Sequence, residues 1–427
     1  MKKTKKEKTK TMKVIKRVAI AIITVVFVLI IGSVAMIGWQ FRPVTGQVAD
    51  TVYRNGEKGF FRQEAYGPWK RGELKELPQA DENMGFDLRS YDVSAFDLTG
   101  EKDSLQKAAF NNTTVWPEKL PEEFDPDKIM ELGKNPGLGI RSLHEEGITG
   151  KGVNIAIVDQ GLNLDHTEYG DNLMSYELLH SCDTQAQMHG SAVTSIAVGE
   201  DCGVAPDAKV YYISSTFGKY SFLDFDIDLN YMADSIERVL AINELLPMDE
   251  KIKVISISRG FYDEKGSVET REAIDHAKEA GVFVISTSTE ENYPFSLMGL
   301  GRGLMDDPED VSSYRPGLFW ADYFYENPEE YDPNFMLLVP MDARAYAGWT
   351  GVEDYEFGAN GGLSWSVPWI AGMYALCLQV DDELTPELFI RKAFETGTVN
   401  IFEKDGKEYR LGTIINPAEL IKAIKDK

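Results

Sequence analysis

Cysteine is nearly absent, with only Cys182, Cys202 and Cys377 in 427 residues. A small scaffold held together by disulfides is therefore excluded. Histidine is also sparse: none of His144, His166, His180 and His276 has a second ligand at metal spacing, so all four read as structural or exposed and no metal site is assigned. Net positive charge is confined to one end. Residues 2–17 carry eight Lys and Arg17 against Glu7, a net +8, which leaves −33 for the rest of a chain whose total is −25. Phosphate backbones repel a body that acidic, so no nucleic-acid partner is expected. Core material is plentiful: 7 Trp, 19 Tyr and 21 Phe in a chain 43% hydrophobic exclude disorder for the bulk.

Charge is missing altogether from Val18 to Phe41, a run of 24 residues. That length crosses a hydrocarbon core of ~30 Å, and Trp39 and Phe41 suit the far interface. The basic block before it stays cytoplasmic by the positive-inside rule, which places the C-terminal body outside the cell. Ser33-Val34-Ala35 has the small-x-small form of a signal-peptidase site, but the apolar run continues past it, which favours an uncleaved anchor. The expected organisation is a basic tail (1–17), a transmembrane anchor (18–41), an N-terminal extracellular segment (42–135) and a catalytic-sized domain (136–427).

Within the extracellular segment, Phe86-Asp87-Leu88, Tyr91-Asp92-Val93 and Phe96-Asp97-Leu98 recur every five residues. Three pentads are too few for a solenoid, so a strand-and-turn segment packed on the main domain is expected. From there, short apolar runs at 153–159, 209–214, 253–258 and 282–287 alternate with helical stretches at 191–199, 232–246 and 271–281. Strands separated by helices predict an α/β fold with a parallel sheet flanked by helices. Sites in such sheets lie at the carboxyl ends of the strands.

Three motifs fall on such positions. Ile157-Val158-Asp159-Gln160-Gly161 puts an acid at a strand end, and Met188-His189-Gly190-Ser191-Ala192 puts a His at the start of a helix. Gly361-Gly362-Leu363-Ser364-Trp365-Ser366-Val367-Pro368 puts a Ser at a helix entrance, with Pro368 expected in the first turn. The order Asp, His, Ser is one of the chain orders of hydrolytic triads. The surrounding words extend the match. HGSAVTSIAVG resembles HGTHVAG, GVAPDAKVY follows it, GLSWSVPWIAG aligns without gaps on GTSMASPHVAG, and Ile415-Asn416-Pro417-Ala418 resembles a closing Asn-x-x-Ala. Over about 136–427 the chain resembles the subtilisin-like serine peptidases, the subtilases.

The resemblance implies a subtilisin-like fold. It makes Ser364 the nucleophile, His189 the base and Asp159 the residue that orients it, with protein or peptide as substrate. It also implies that Ser258, Arg259 and Gly260 present an extended edge to the substrate. Relatives carry an Asn that donates to the oxyanion, and here Glu290 takes that position. Ionised, Glu290 would repel the oxyanion; protonated and partly buried, it could donate, and Thr289 or Asn292 are the alternatives. The Thr that precedes the nucleophile in relatives is Leu363, and the His after the Pro is Trp369. Residues 292–337 are expected to form a long irregular stretch that shapes the specificity pockets. Relatives often bind calcium, but no liganding loop is assignable and no cofactor is assigned. Cys182 and Cys202 bracket His189 and are candidates for a disulfide. Residues 42–130 occupy the place of a pro-segment without a recognisable pro-domain pattern. The expectation is a membrane-anchored extracellular serine endopeptidase. Its alternative is a pseudoprotease that binds peptides as a scaffold because Glu290 disables the oxyanion hole. Nothing in the sequence specifies the oligomeric state.

Overall fold

Each pentad repeats one turn. The carboxylates of Asp87, Asp92 and Asp97 accept the backbone N–H two residues on, from Arg89, Ser94 and Thr99, at 3.1, 3.0 and 3.2 Å. This is the Asx-turn that Asp forms readily. Between the turns Phe86, Leu88, Val93 and Leu98 point inward and are buried, so the segment packs on the main domain as expected. The computed structural model describes residues 70–80, 85–181, 186–220 and 225–426. The basic tail, the apolar run 18–41, the first part of the extracellular segment and Cys182 lie outside the described residues.

Strand β1 (Phe86–Asp87) pairs in parallel with β2 (Ala108–Asn111). Helix α1 (Pro126–Lys134) follows, with Pro at its start and the Asp125 carboxylate accepting from Lys128 N at 3.1 Å. Helix α2 (Ile140–Glu145) leads into β3 (Asn154–Asp159), a run buried along its whole length. Next come β4 (Leu173–Leu178), α3 (Met188–Val198), β5 (Lys209–Ser214), α4 (Asn230–Leu245), β6 (Ile252–Ile257), α5 (Ser267–Glu279) and β7 (Phe283–Ser286). These strands form one five-stranded sheet in the order β7-β6-β3-β5-β4, parallel throughout, with Asp159 level with Ser214. A separate apolar cluster fills each face of it. Ile157, Ile196 and Tyr374 lie in one, and Val158, Ile236 and Ile274 in the other. Burial on both faces is why most of these strands read as apolar runs, while β4, interrupted by Ser175 and Glu177, did not stand out in the sequence.

The stretch 292–337 is not irregular. It holds β8 (Ser296–Gly301) and α6 (Leu318–Glu326), and runs into β9 (Met336–Pro340), which pairs in parallel with β8. Gly299 and Gly301 sit where a Cβ would press on Met341 and Asp342, so the strand signal was diluted by glycines the packing demands. After β10 (Arg344–Ala347) and β11 (Tyr355–Gly358) comes α7 (Leu363–Val380). By length and composition α7 could cross a membrane, but 78% of it is buried inside the protein and it is the central core helix. The hairpin β12 (Thr398–Lys404) and β13 (Lys407–Ile414) joins β9, and α8 (Pro417–Lys425) closes the chain, capped by Asn416.

The expected boundary at 135/136 does not separate two packed units. Strands β10, β11, β2 and β1 form a single sheet, and one apolar cluster joins Phe86, Phe110, Phe124 and Ile129 to Ala343, Ala345, Phe357 and Ala359.

Candidate active site

Asp159 closes β3 and is only 2% exposed. Its Oδ1 accepts the Gln160 amide at 2.8 Å and lies 2.7 Å from Nδ1 of His189. An ionised carboxylate can only accept, so Nδ1–H donates and Nε2 is left to take a proton. His189 is the second residue of α3 and keeps 25% of its side chain exposed, enough to meet a substrate. Gly190 makes this seating possible, because a Cβ there would lie 2.6 Å from the Gln160 carbonyl oxygen and 3.0 Å from that of Gly161. Burial alone would push the His189 imidazolium down, but the charge and hydrogen bond of Asp159 outweigh it and hold the group above its ordinary 6.5.

Ser364 is the second residue of α7, entered through Gly362 in extended conformation. Its N–H belongs to the first turn, where amides have no intrahelical acceptor and the helix dipole favours negative charge. Pro368 lies inside the helix rather than in its first turn. Having no N–H, it leaves the Ser364 carbonyl without a helical donor. Ser258 fills that gap: its Oγ donates to the Ser364 carbonyl at 2.8 Å, while the Ser364 Oγ donates to the Ser258 carbonyl at 3.3 Å. The residue at the end of β6 therefore braces the candidate nucleophile from both sides. Trp365, next along α7, packs its ring 5.4 Å from that of His189, which brings α7 and α3 together at this point.

Arg259 and Gly260 continue from Ser258, and all three line the carboxyl end of the sheet. A Cβ at Gly260 would lie 2.8 Å from Thr287 Oγ1 and from Ser288 Oγ, and Phe261 N donates to Ser288 Oγ at 3.0 Å. The edge is thus fastened to the segment after β7. Glu290 follows in that segment, but it is exposed and receives a hydrogen bond from the Tyr262 hydroxyl at 3.4 Å. The partial burial that a proton-donating role requires is not there. The Thr289 hydroxyl already donates to the Ser286 carbonyl at 2.7 Å. Asn292 is half-buried and lines a separate pocket with Lys278, Tyr293 and Phe394.

The other histidines have structural partners. His144 and His166 bond the carbonyls of Val204 and Asp354 at 2.8 Å, and His180 and His276 bond Asp234 and Glu237 at 2.7 Å. Cys202 is a buried free thiol, which departs from the disulfide considered for it. Among the described residues no group of three or more His, Cys, Asp or Glu could hold a metal ion. Sequence reasoning missed Asp342. It is buried just after β9, and it accepts N–H bonds from Leu318, at the start of α6, and from Gly361, three residues before Ser364, each at 2.7 Å.

Residues 150–321 match the model of the subtilase family, Peptidase_S8. The match takes in Asp159 and His189 and ends before Ser364. Among solved structures, the chain is similar to the prenylagaramide maturation protease PagA, at 16% identity over 67% of this chain and 98% of that one, with a TM-score of 0.47. It is also similar to a serine-to-alanine mutant of the protease domain of PatA, at 18% identity over 64% of this chain and 95% of that one, with a TM-score of 0.44. Residues 150–321 are thus similar to the subtilase family, the same family that the motifs around Asp159, His189 and Ser364 resemble.

Proposed function

We propose that the protein is a membrane-anchored extracellular serine endopeptidase acting through Asp159, His189 and Ser364. The observation that carries the reading is the 2.7 Å bond between Asp159 at a strand end and a partly exposed His189, with the Ser364 turn beside it. Ser364 Oγ attacks the scissile carbonyl as His189 Nε2 takes its proton, and Asp159 stabilises the imidazolium that results. The Ser364 N–H at the start of α7 bonds the oxyanion. His189 then protonates the leaving amine, and afterwards takes a proton from the water that attacks the acyl ester, which frees the carboxylic acid and returns the proton to the Ser364 oxygen. In the free enzyme the Ser364 hydroxyl is turned to the Ser258 carbonyl through a long bond, so substrate binding must bring it round to His189.

Intact cells treated with a fluorophosphonate are expected to yield labelled chain in the membrane fraction after a high-salt wash. The Ser364→Ala variant should take no label. Peptide binding without labelling of the unmodified chain would indicate the scaffold alternative. Labelled protein in the soluble fraction would show instead that the segment before Met36 is cut.

The state of His189 gives a second expectation. Base catalysis needs the neutral ring, and Asp159 raises its pKa, so kcat/KM should rise with pH through a midpoint above 6.5. Asp159→Asn removes the charge that raises it. The acid limb should then move to lower pH while turnover falls by about 10⁴-fold, because the ring loses its tautomer. A limb that stays in place would mean that it reports another group.

A further inference from the structure

We propose that residues 85–124 are a resident part of the active-site scaffold, retained in the working enzyme, rather than a pro-segment to be removed. The inference rests on the peptidase reading for its kinetic consequences only. Strand β2 pairs antiparallel with β11, in the register Glu356 with Asn111, Phe357 with Phe110 and Gly358 with Ala109. The pairing runs on at both ends, since the Ala359 N–H donates to the Ala108 carbonyl at 3.0 Å and the Asn112 N–H to that of Tyr355 at 3.1 Å. Ala359 is five residues before Ser364. The N-terminal segment therefore supplies one of the two backbone partners of the last stretch of chain before the nucleophile loop, β10 being the other.

Two further observations make that partner hard to remove. Phe86, Leu88, Leu98, Phe110 and Phe124 complete an apolar cluster whose other wall includes Phe357 and Ala359, so departure would expose both sides to water. Glu356 is 4% exposed, and its Oε2 lies 3.0 Å from Nη1 of Arg89, whose Nε is held 2.9 Å from Asp87. Without the segment that carboxylate would lose its ion pair with Arg89. A pro-segment that must leave does not build the core and the charge balance of what stays.

Arg89 is accordingly a positioning residue acting through β11. On the same sheet, Tyr346 of β10 packs its ring 5.1 Å from Trp365, and Trp365 packs 5.4 Å from His189. A shift of β11 and β10 would thus move both the Ser364 loop and the Trp365 contact to the base. Misplacement of reacting groups by about 1 Å lowers turnover by about 10²-fold.

The test is a full chain in which the exposed Glu122-Glu123 pair is replaced by the recognition sequence of a site-specific protease. After cutting, the N-terminal fragment is expected to co-elute with the body under native conditions. Once it is stripped off in denaturant and the body refolded alone, unfolding should begin at lower denaturant and turnover should fall by about 10²-fold. Adding the fragment back should restore both. A refolded body with an unchanged unfolding midpoint and equal or higher turnover would overturn the proposal and make the segment a pro-segment. If the intact chain neither turns over peptide nor takes a fluorophosphonate, the peptidase reading fails, and the unfolding midpoint alone then judges the segment. A second variant covers a body that does not refold. Arg89→Met in the intact chain should lower kcat more than it changes KM, and the added Glu356→Gln should recover most of the loss. An Arg89→Met chain with unaltered kcat and unfolding midpoint would also overturn the proposal.

Discussion

Replacing Ser364 with Ala is expected to lower peptide turnover by about 10⁶-fold, the loss found when the triad serine of a subtilisin is removed. His189→Ala should cost a similar factor, and the double variant little more, because nucleophile and base act as one unit and neither works without the other. The residual rate belongs to what the triad does not supply: substrate binding along Ser258, Arg259 and Gly260, and the oxyanion donors at the start of α7. Ser364→Ala should leave stability nearly unchanged, since the lost hydroxyl makes only one long bond, 3.3 Å to the Ser258 carbonyl. Steady-state kinetics on a peptide substrate, with the unfolding midpoint measured on the same samples, separates loss of chemistry from loss of fold. Undiminished turnover in Ser364→Ala would place the nucleophile elsewhere. Losses that multiply in the double variant would mean that the two residues do not act on one step.

Four of the five strands of the main sheet were legible because burial on both faces makes them largely apolar, as around Val210, Ile255 and Val284. Strand β4 was not, since Ser175 and Glu177 interrupt it. The run 209–214 is strand β5 to the residue. Asp159, His189 and Ser364 drew notice because each stands at the end or start of an element, which neighbouring glycines mark in the sequence. The stretch 292–337 was not legible. Gly299 and Gly301 hid a strand, and α6 begins with the exposed Leu318 and Phe319, which blur its apolar stripe. The role of Ser258 was half-written in the sequence: a proline at position 368 must orphan the carbonyl at 364, but only the fold shows which hydroxyl meets it. Glu290 misled because ungapped alignment fixes a position along the chain and says nothing of exposure.

Asp342 was the residue least visible in the sequence, and it carries the second large effect. Burial pushes its carboxyl up to about 7 against the two amide bonds from Leu318 and Gly361, which lower it. Because the folded value lies above the unfolded 3.8, the native state holds a proton through this window that the unfolded chain has already lost. Stability from this group is therefore fully present below about pH 4, declines as pH rises, and levels off above about pH 7, for a total of about 4 kcal/mol. Asp342→Asn removes that dependence. The amide offers one acceptor oxygen where two N–H groups point in, so at pH 5 the variant should be less stable by about 1–3 kcal/mol. Towards pH 8 the parent should lose this advantage and the two curves should converge or cross. Urea unfolding of both proteins from pH 4 to 8 measures it. The difference between the curves is the useful quantity, since every other titrating group is common to both proteins and cancels. Parallel curves would show that Asp342 stays ionised in its buried site. Convergence would mean that burial favours the neutral acid more than the two amide bonds favour the carboxylate. The link between α6 and the Ser364 loop then carries a desolvation cost at the pH where His189 must be neutral.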